Sequence, residues 1–171
     1  MTIIRLAKIE ECSFIKEHAD KVYYKNEIDF WEKDYFRISK EECLTFIKNK
    51  ELFVLDDEGE ILGFVCIKKV SPEILSFSML TIIEKHQKKG YGNIILKYII
   101  RKAKKENFNN ITIEILCAKN WKHPQKEFLI KWYTKHGFIF KREFSFEKLY
   151  PSHAKYMKSK LVFKEYCKPI N

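Results

Sequence analysis

The sequence predicts one α/β domain of the mixed α+β kind, with a central sheet of six to seven strands flanked by about four helices. Its 171 residues suit a single compact domain, since domains usually span about 100 to 200 residues. With 46% hydrophobic and 15% aromatic residues, the chain has enough apolar surface to form a folded core. Strand-like and helix-like segments alternate without a repeat or a linker, and we therefore expect one domain over residues 1–171.

The first fifty residues predict a short strand and two helices. Residues 3–6 are β-like, and apolar residues then recur at helical spacing over residues 8–24. The side chains expected to face inward from this helix are Ile9, Cys12, Ile15, Ala19 and Val22. Residues 27–36 interleave acids with aromatics and fit neither period, so we expect a loop or an irregular helix there. Ser39 followed by Glu42 is a capping box, which predicts a second helix to Asn49.

The middle of the chain predicts a hairpin, a third strand and a third helix. A turn rich in Asp and Gly separates the β-rich runs at residues 52–55 and 61–70. Residues 74–83 form another β-rich run, which leads into a glycine-containing loop at residues 87–92. A helix with one apolar face then extends to about Glu106.

The last sixty residues predict a strand, a helix and two closing strands. Residues 111–117 are β-rich. Pro124 suits the first turn of the following helix, and Gly137 suits its C-terminal cap. The closing strands are expected at residues 138–146 and 156–162.

Composition narrows the classes of protein to which the chain can belong. No apolar run approaches the about 18 residues of a membrane span, and the N-terminus lacks a signal-peptide pattern, so we expect a cytoplasmic protein with no membrane partner. Five scattered cysteines without a C-x-x-C pair argue against a disulfide framework or a zinc site. The net charge of +10 suits an anionic ligand or a nucleic acid. The lysines spread over all predicted elements and no recognition motif occurs, so a nucleic-acid-binding module is the less favoured class.

The loop at residues 87–92 joins a strand to a helix, an arrangement that presents free backbone N–H groups and a positive dipole end to an anion, usually a phosphate. Gly90 and Gly92 are expected to let phosphate oxygens approach the main chain, because a side chain at either position would hold them off. A dinucleotide fingerprint is excluded because Ile95 stands where a third small residue is needed, and no P-loop Lys-Ser/Thr pair occurs. On the loop alone, a plain strand-to-helix connection remains the alternative.

Three segments of the sequence resemble the GCN5-related N-acetyltransferases. Residues 87–92, Gln-Lys-Lys-Gly-Tyr-Gly, match the acetyl-CoA signature of that family, which is Gln or Arg, two residues, Gly, one residue, and Gly or Ala. Tyr133 with Gly137 and Phe138 matches its helix-end tyrosine pattern, and residues 156–161 look like its last strand. The resemblance implies a mostly antiparallel sheet, acetyl-CoA as acyl donor and no metal. It also implies direct transfer to a primary amine on a small molecule or a peptide, and it leaves the oligomeric state open, a homodimer included.

The resemblance also implies which residues hold the cofactor. The residues expected to hold the CoA pyrophosphate on their amides are Gln87, Lys88, Lys89, Gly90, Tyr91, Gly92 and Asn93. The pantetheine arm is expected to pair with the strand end at Thr81, Ile82 and Ile83, because the strands at residues 74–83 and 111–117 splay apart in the family. Asn120 is a further candidate, although the position seven residues before Tyr133, where many relatives have Asn, is Lys126.

Two residues are candidates for the chemistry. Tyr133 matches the proton donor to the departing thiolate, since a phenol with a pKa near about 10 is protonated at neutral pH. The alternative is that Tyr133 only packs in the interior. The glutamate base of histone-modifying relatives is replaced by Ser76. The remaining candidate bases are Glu73, Glu84, Glu114, His86 and His123, and Glu114, on the splayed strand, is the one that we name. A non-catalytic acyl-CoA-binding or scaffold protein of the same fold is the alternative function.

The acceptor site is formed in the family by the first helices and their connection, here residues 23–36. The acids expected to attract a cationic amine are Glu27, Asp29, Glu32 and Asp34. Trp31 and Tyr35 would supply an aromatic wall. The alternative is that these acids are ordinary solvated groups around core aromatics.

Overall fold

Seven strands form one sheet in the computed structural model, which describes residues 1–32 and 35–170. The strands are β1 (Thr2–Leu6), β2 (Leu52–Asp57), β3 (Glu60–Lys69), β4 (Ile74–Ile82), β5 (Asn110–Ala118), β6 (Ile139–Ser145) and β7 (Leu161–Pro169). The helices are α1 (Cys12–Glu27), α2 (Lys40–Lys48), α3 (Tyr91–Lys105), α4 (Pro124–Lys135) and the single turn α5 (Phe146–Leu149). Segments of 3-10 helix cover Ile9–Glu11, Glu84–His86 and Pro151–Tyr156.

The strand order is β1-β2-β3-β4-β5-β7-β6, and every neighbouring pair is antiparallel except β4 and β5. The predicted mixed, mostly antiparallel α/β fold is therefore confirmed. The parallel pair needs a long crossover, which α3 supplies. None of the helices in the described part of the chain is long and apolar enough to cross a membrane.

Local sequence signals set the helix ends as predicted. The Ser39 hydroxyl accepts from the Glu42 N–H at 3.1 Å, and the Glu42 carboxylate accepts from the Ser39 N–H at 2.7 Å, which closes the capping box of α2. Pro124 occupies the first turn of α4. Gly137, just after the end of α4, has a φ of +87°, a left-handed conformation that glycine adopts without a steric cost.

Two predicted details are wrong. The last strand is Leu161–Pro169 rather than residues 156–162, because Pro151 starts a 3-10 helix that runs to Tyr156. β7 lies between β5 and β6 and pairs with both, so its full length is needed to complete the sheet. Ile9, predicted to face inward, is 59% exposed, because it belongs to the 3-10 turn that precedes α1 and lies outside the register of that helix.

Apolar side chains cover both faces of the sheet. On one face, α3 and α4 pack against alternate residues of β2, β3, β4, β5 and β7. On the other face, α1 and α2 cover β2 and β3. Beside them an aromatic cluster that includes Phe30, Trp31 and Phe146 covers the ends of β5 and β7. The sheet is therefore the middle of three layers.

The ladder between β4 and β5 is much shorter than the two strands. It contains the pairs Ile74↔Asn110, Leu75↔Ile111 and Ser76↔Thr112, although β4 continues to Ile82 and β5 to Ala118. A β-bulge helps to turn β4 away, since the register against β3 shifts near Met79, whose φ is +55°. The sheet is thus open between these strands beyond the third pair.

Gly63 allows β3 to hold the end of β4 closely. A Cβ atom at Gly63 would lie 2.6 Å from the Thr81 carbonyl oxygen and 2.7 Å from Ile82 Cδ1. We predict that Gly63→Ala lowers the free energy of unfolding by about 1–3 kcal/mol, since the backbone must move to relieve the contact. Urea denaturation measures this change. Gly92→Ala is the control, because its methyl group would meet only Trp132 at an ordinary 3.6 Å. Equal stability of both variants would contradict the prediction.

Candidate functional site

The gap between β4 and β5 opens into a cavity of about 1770 Å³. This volume exceeds the about 300–1,000 Å³ typical of sites for one small molecule, so the cavity has room for a long ligand and a second one. Its walls include the separated ends of β4 and β5, the loop that begins α3, and residues of α1 and α4. The opening in the sheet therefore connects both of its faces to one site.

The loop before α3 offers unpaired main-chain donors to this cavity. Gly90 caps α3 with a φ of +84°, and Lys88 also has a positive φ, of +62°. The N–H groups of Gly90, Tyr91 and Gly92 have no acceptor within residues 1–32 and 35–170. Successive amides in such a turn, at the positive end of a helix dipole, form an anion site. The loop therefore has the geometry of a phosphate-binding site.

The amides at the two ends of the predicted loop are already engaged. The Gln87 N–H donates to the Glu84 carbonyl oxygen at 3.2 Å, and the Asn93 N–H donates to the Gly90 carbonyl oxygen at 3.1 Å. These two amides are therefore not available to an anion. Within residues 87–93, the available N–H groups are those in the middle of the range. Within the loop, Lys89 and Tyr91 do not line the cavity, whereas Lys88, Gly90 and Gly92 do.

The two glycines of the loop have different roles. A Cβ atom at Gly90 would meet nothing within 4 Å, and Gly90 borders the cavity. At Gly92 a Cβ atom would instead lie 3.6 Å from the Trp132 ring, on the side of α4. Gly92 lines the cavity as Gly90 does, but a side chain at Gly92 would face Trp132, which is also part of the cavity wall. The contact of 3.6 Å is an ordinary van der Waals distance, so the packing of α3 on α4 leaves room for a methyl group at this position.

Of the three residues predicted to pair with the pantetheine arm at the end of β4, one directs its main chain into the gap. The Ile83 N–H donates to the Leu62 carbonyl oxygen at 2.9 Å, so Ile83 directs its main chain towards β3, as does Thr81 two residues earlier. Ile82 directs its carbonyl oxygen the other way, and Gln87 Nε2 donates to it at 3.1 Å. All three residues line the cavity, but Ile82 is the one whose main chain faces the gap. The glutamine of the loop therefore fixes the loop to the strand end.

Tyr133 reaches the cavity from α4. The residue is 3% exposed, and its ring packs edge-on against Phe77 and Phe138. Its hydroxyl has no hydrogen-bond partner in the described part of the chain, and the residue lines the cavity. Burial raises the pKa of Tyr133 above its ordinary value. The phenol is therefore neutral at physiological pH and has a proton to donate.

Glu114 lies on the opposite side of β5 from Ile113 and Ile115, and its exposed side chain lines the same cavity. Partial burial and the neighbouring Glu165 carboxylate raise the pKa of Glu114. Glu165 itself is paired with Arg142 at 2.9 Å, which leaves Glu114 without an ion-pair partner among the described residues. A carboxylate with a raised pKa is suited to accept a proton.

Other candidates from the sequence lie outside the large cavity or are already paired. Asn120, together with His123, lines a smaller cavity of about 230 Å³ that adjoins the large one at Lys126, and it is not among the residues that line the large cavity. Glu84 is paired with Lys25, and His86 lies 3.0 Å from Glu60. Among the described residues no cluster of three or more His, Cys, Asp or Glu side chains could hold a metal ion.

A buried charged cluster was not predicted. Glu27, which is fully buried, accepts from Arg37 Nη1 at 3.0 and 2.8 Å and from Lys126 Nζ at 2.7 Å. Arg37 precedes α2 in the chain and Lys126 lies in α4, and both line the large cavity. One signal in the sequence pointed to Lys126. It lies two helical turns before Tyr133, and therefore on the same inward face of α4.

The hypothesis of an acidic acceptor site is wrong for Glu27, because two cations occupy its carboxylate. Asp29 and Glu32 are exposed, and Asp34 lies outside the described residues. Trp31 is 7% exposed and stacks on Tyr35 with ring centroids 4.1 Å apart, within the aromatic core. The aromatics here are packing residues rather than the wall of an acceptor site.

An open sheet with an amide loop at the end of its central gap defines a protein of acetyltransferase architecture. The family model described as "Acetyltransferase (GNAT) family" matches residues 5–138, most of the chain. The chain belongs to the GNAT acetyltransferase family. A comparison with curated proteins gave no match.

Solved structures with the same fold cover almost the whole chain. The paia N-acetyltransferase from Thermoplasma acidophilum, in complex with coenzyme A, has a TM-score of 0.73 at 16% identity and covers 99% of each chain. Ard1 from Thermoplasma volcanium has a TM-score of 0.72 at 13% identity and covers 99% of this chain and 98% of its own. An N-acetyltransferase from Staphylococcus aureus Mu50 has a TM-score of 0.70 at 19% identity and covers 100% of this chain and 99% of its own. At these identities the likeness concerns the fold.

The different surroundings of the two glycines give a matched pair of variants. We predict that Gly90→Ala weakens the binding of coenzyme A at least about tenfold, since its methyl group enters the anion approach and its positive φ disfavours alanine. Gly92→Ala should bind within about threefold of the wild type, because its methyl group points to Trp132 and the helix gains by losing a glycine. Isothermal titration calorimetry measures both affinities. Equal affinities for the two variants would show that Gly90 does not border the ligand.

Proposed function

We propose that the protein is an acetyl-CoA-dependent N-acetyltransferase that moves an acetyl group to a primary amine by direct attack. The observation that carries this proposal is the gap between β4 and β5, which ends at the amide loop and faces Tyr133 in a chain of the GNAT family. A cleft between two separated strands suits a ligand that is long, narrow and anionic at one end.

The residues present fit acetyl-CoA. The unpaired amides around Gly90 suit a pyrophosphate, and Lys88 adds a positive charge at the cavity wall. The main chain of Ile82 faces the gap; its carbonyl oxygen already accepts from Gln87, and its N–H can donate to an extended amide-containing arm, as in an added strand. The paia N-acetyltransferase, which has this fold, was solved with coenzyme A, and this supports the assignment. The group supplies an acetyl thioester, whose carbonyl carbon is open to attack by an amine.

In the proposed mechanism, two residues of the chain transfer protons, one as a donor and one as an acceptor. In the proposed reaction the acceptor nitrogen forms a bond to the acetyl carbon, and the thioester C–S bond breaks. Tyr133 donates its phenolic proton to the departing sulfur. Burial raises the pKa of Tyr133, and the same apolar surroundings raise the pKa of the departing thiol, so the two pKa values stay close enough for proton transfer. Glu114, whose carboxylate lines the same cavity, accepts the proton that the amine loses.

A non-catalytic acyl-CoA-binding protein of the same fold is the alternative. It predicts cofactor binding without release of free coenzyme A thiol in the presence of any amine. A free-thiol assay with acetyl-CoA and a panel of amines separates the two functions, because the enzyme produces one thiol for each acetylated amine. Binding without thiol release across the panel would overturn the proposed activity.

We predict that Tyr133→Phe lowers kcat about 10²- to 10⁴-fold while the affinity for acetyl-CoA stays within about threefold, since the phenol acts on the leaving group. Thiol release and calorimetry measure these two quantities. Tyr166→Phe is the matched control, because Tyr166 is a buried tyrosine of β7 that does not line the cavity. Full turnover by Tyr133→Phe would exclude Tyr133 as the proton donor.

We predict that kcat/KM of the wild type rises with pH as Glu114 loses its proton. Because the pKa of Glu114 is raised, this rise should lie above about 4.3, the ordinary pKa of glutamate. In Glu114→Gln this limb should disappear and kcat/KM should fall about 10²-fold, with only the titration of the amine itself remaining. Glu143→Gln, which changes an exposed glutamate of β6, is the control. Superimposable pH profiles for Glu114→Gln and the wild type would remove Glu114 from the mechanism.

A further inference from the structure

The charged cluster of Glu27, Arg37 and Lys126 lies where the ends of α1 and α4 border the large cavity. It contains two cations and one carboxylate, so it carries a surplus positive charge. The side chain of Lys126 is 7% exposed and that of Arg37 is 21% exposed. A surplus charge that is withdrawn from water in this way is costly unless a further anion compensates it.

The carboxylate of Glu27 has no capacity left for a ligand. Its Oε1 accepts from Arg37 Nη1 and, at 3.4 Å, from Trp31 Nε1, and its Oε2 accepts from Arg37 Nη1 and Lys126 Nζ. Its function in the cluster is to hold the two cations in place. The groups that can receive a ligand are therefore the cations.

Arg37 has one edge of its guanidinium without an acceptor among the described residues. Glu27 contacts only Nη1, and neither Nε nor Nη2 has an acceptor within the described residues. The guanidinium also lies over the Tyr23 ring, with its Cζ 4.6 Å from the ring centroid, which fixes its plane. The edge formed by Nε and Nη2 presents two parallel N–H donors, the arrangement that binds a carboxylate through both oxygens.

Tyr23, Arg37 and Lys126 line the same cavity as Tyr133 and Glu114. Lys126 precedes Tyr133 by two turns of α4, which corresponds to about 10 Å along the helix axis. A cation site and a proton donor thus border one cavity on one helix. A molecule that bridges them carries an anionic group at one end and the reacting amine at the other.

We propose that the amine acceptor carries a carboxylate, as an amino acid does, and that Arg37, with Lys126, binds that carboxylate. This inference rests on the proposed acetyltransferase function and names the chemical class of its acceptor. It predicts discrimination against acceptors that are only cationic, such as polyamines, because they would add positive charge beside two cations.

The test uses acceptor pairs that differ only in the carboxylate. The panel contains the twenty proteinogenic amino acids, 4-aminobutyrate and 6-aminohexanoate, each paired with its carboxamide, together with spermidine. We expect at least one acid to exceed its carboxamide in kcat/KM by about 10- to 100-fold, the range of a charge-assisted hydrogen bond, with the difference in KM. Spermidine should be a poorer acceptor than that acid.

Two variants of Arg37 assign the preference to this residue. In Arg37→Met the acid and its carboxamide should be acetylated equally, and in Arg37→Lys, which keeps the charge but loses the two-donor edge, an intermediate preference should remain. Arg101→Met, which removes an exposed arginine of α3, is the control for charge alone. If Arg37→Met fails to fold because Glu27 has lost a partner, Arg37→Lys provides the comparison. Calorimetry with acetyl-CoA confirms that each variant retains a competent cofactor site.

The outcomes separate this inference from the proposed function. Equal kcat/KM for acids and carboxamides, or a preference for spermidine, overturns the carboxylate site and leaves the acetyltransferase intact. If no amine is acetylated, calorimetry with the protein saturated with coenzyme A decides. Binding of an acid but not of its carboxamide, abolished in Arg37→Met or weakened in Arg37→Lys, supports the site although the proposed activity has failed. Absence of such binding overturns the site as well.

Discussion

The short ladder between β4 and β5 is the constraint on which the site depends. After Ser76 and Thr112 the two strands leave each other, although a sheet normally satisfies its main-chain groups by continuing the pairing. The unpaired edges are tolerated because they face a cavity rather than a dry core. Antiparallel partners on the outer sides, β3 for β4 and β7 for β5, keep both strands extended where their mutual contact has ended. An opening in the middle of a sheet is thus held rigidly from both sides.

The same opening explains why residues from distant parts of the chain share one site. The loop that follows β4 begins α3 at the edge of the gap, so its amides and its helix dipole point into the opening. The gap also joins the two faces of the sheet, so Tyr133 from α4 on one side and Glu114 on the other side of β5 line one cavity. A continuous sheet would separate these two groups by its full thickness.

Local signals in the sequence were sufficient where a structure is determined by near neighbours. The capping box at Ser39, the proline at the start of α4 and the glycine loop before α3 each specify their own geometry.

The last strand could not be placed in this way, because its position is set by pairing with β5 and β6. Spacing along the chain likewise does not show that Asn120 lines the smaller cavity or that a side chain at Gly92 would face Trp132. The cluster of Glu27 and Lys126 joins residues 99 positions apart, and single-sequence periodicity carries no signal for such a contact.

Burying the charges of Glu27, Arg37 and Lys126 also costs the fold stability, and this cost asks for a function of the cluster. Replacing a buried ion pair by apolar residues is often neutral or stabilising, so attachment of α1 to α4 does not by itself require Lys126 and Glu27. The aromatic cluster nearby, with Phe30, Trp31 and Phe146, shows that this end of the sheet is readily covered by apolar side chains. One cation would neutralise Glu27, and the chain places two there, both of them residues that line the cavity. The excess of charge and of donors is therefore better explained by a ligand than by the packing of the helices.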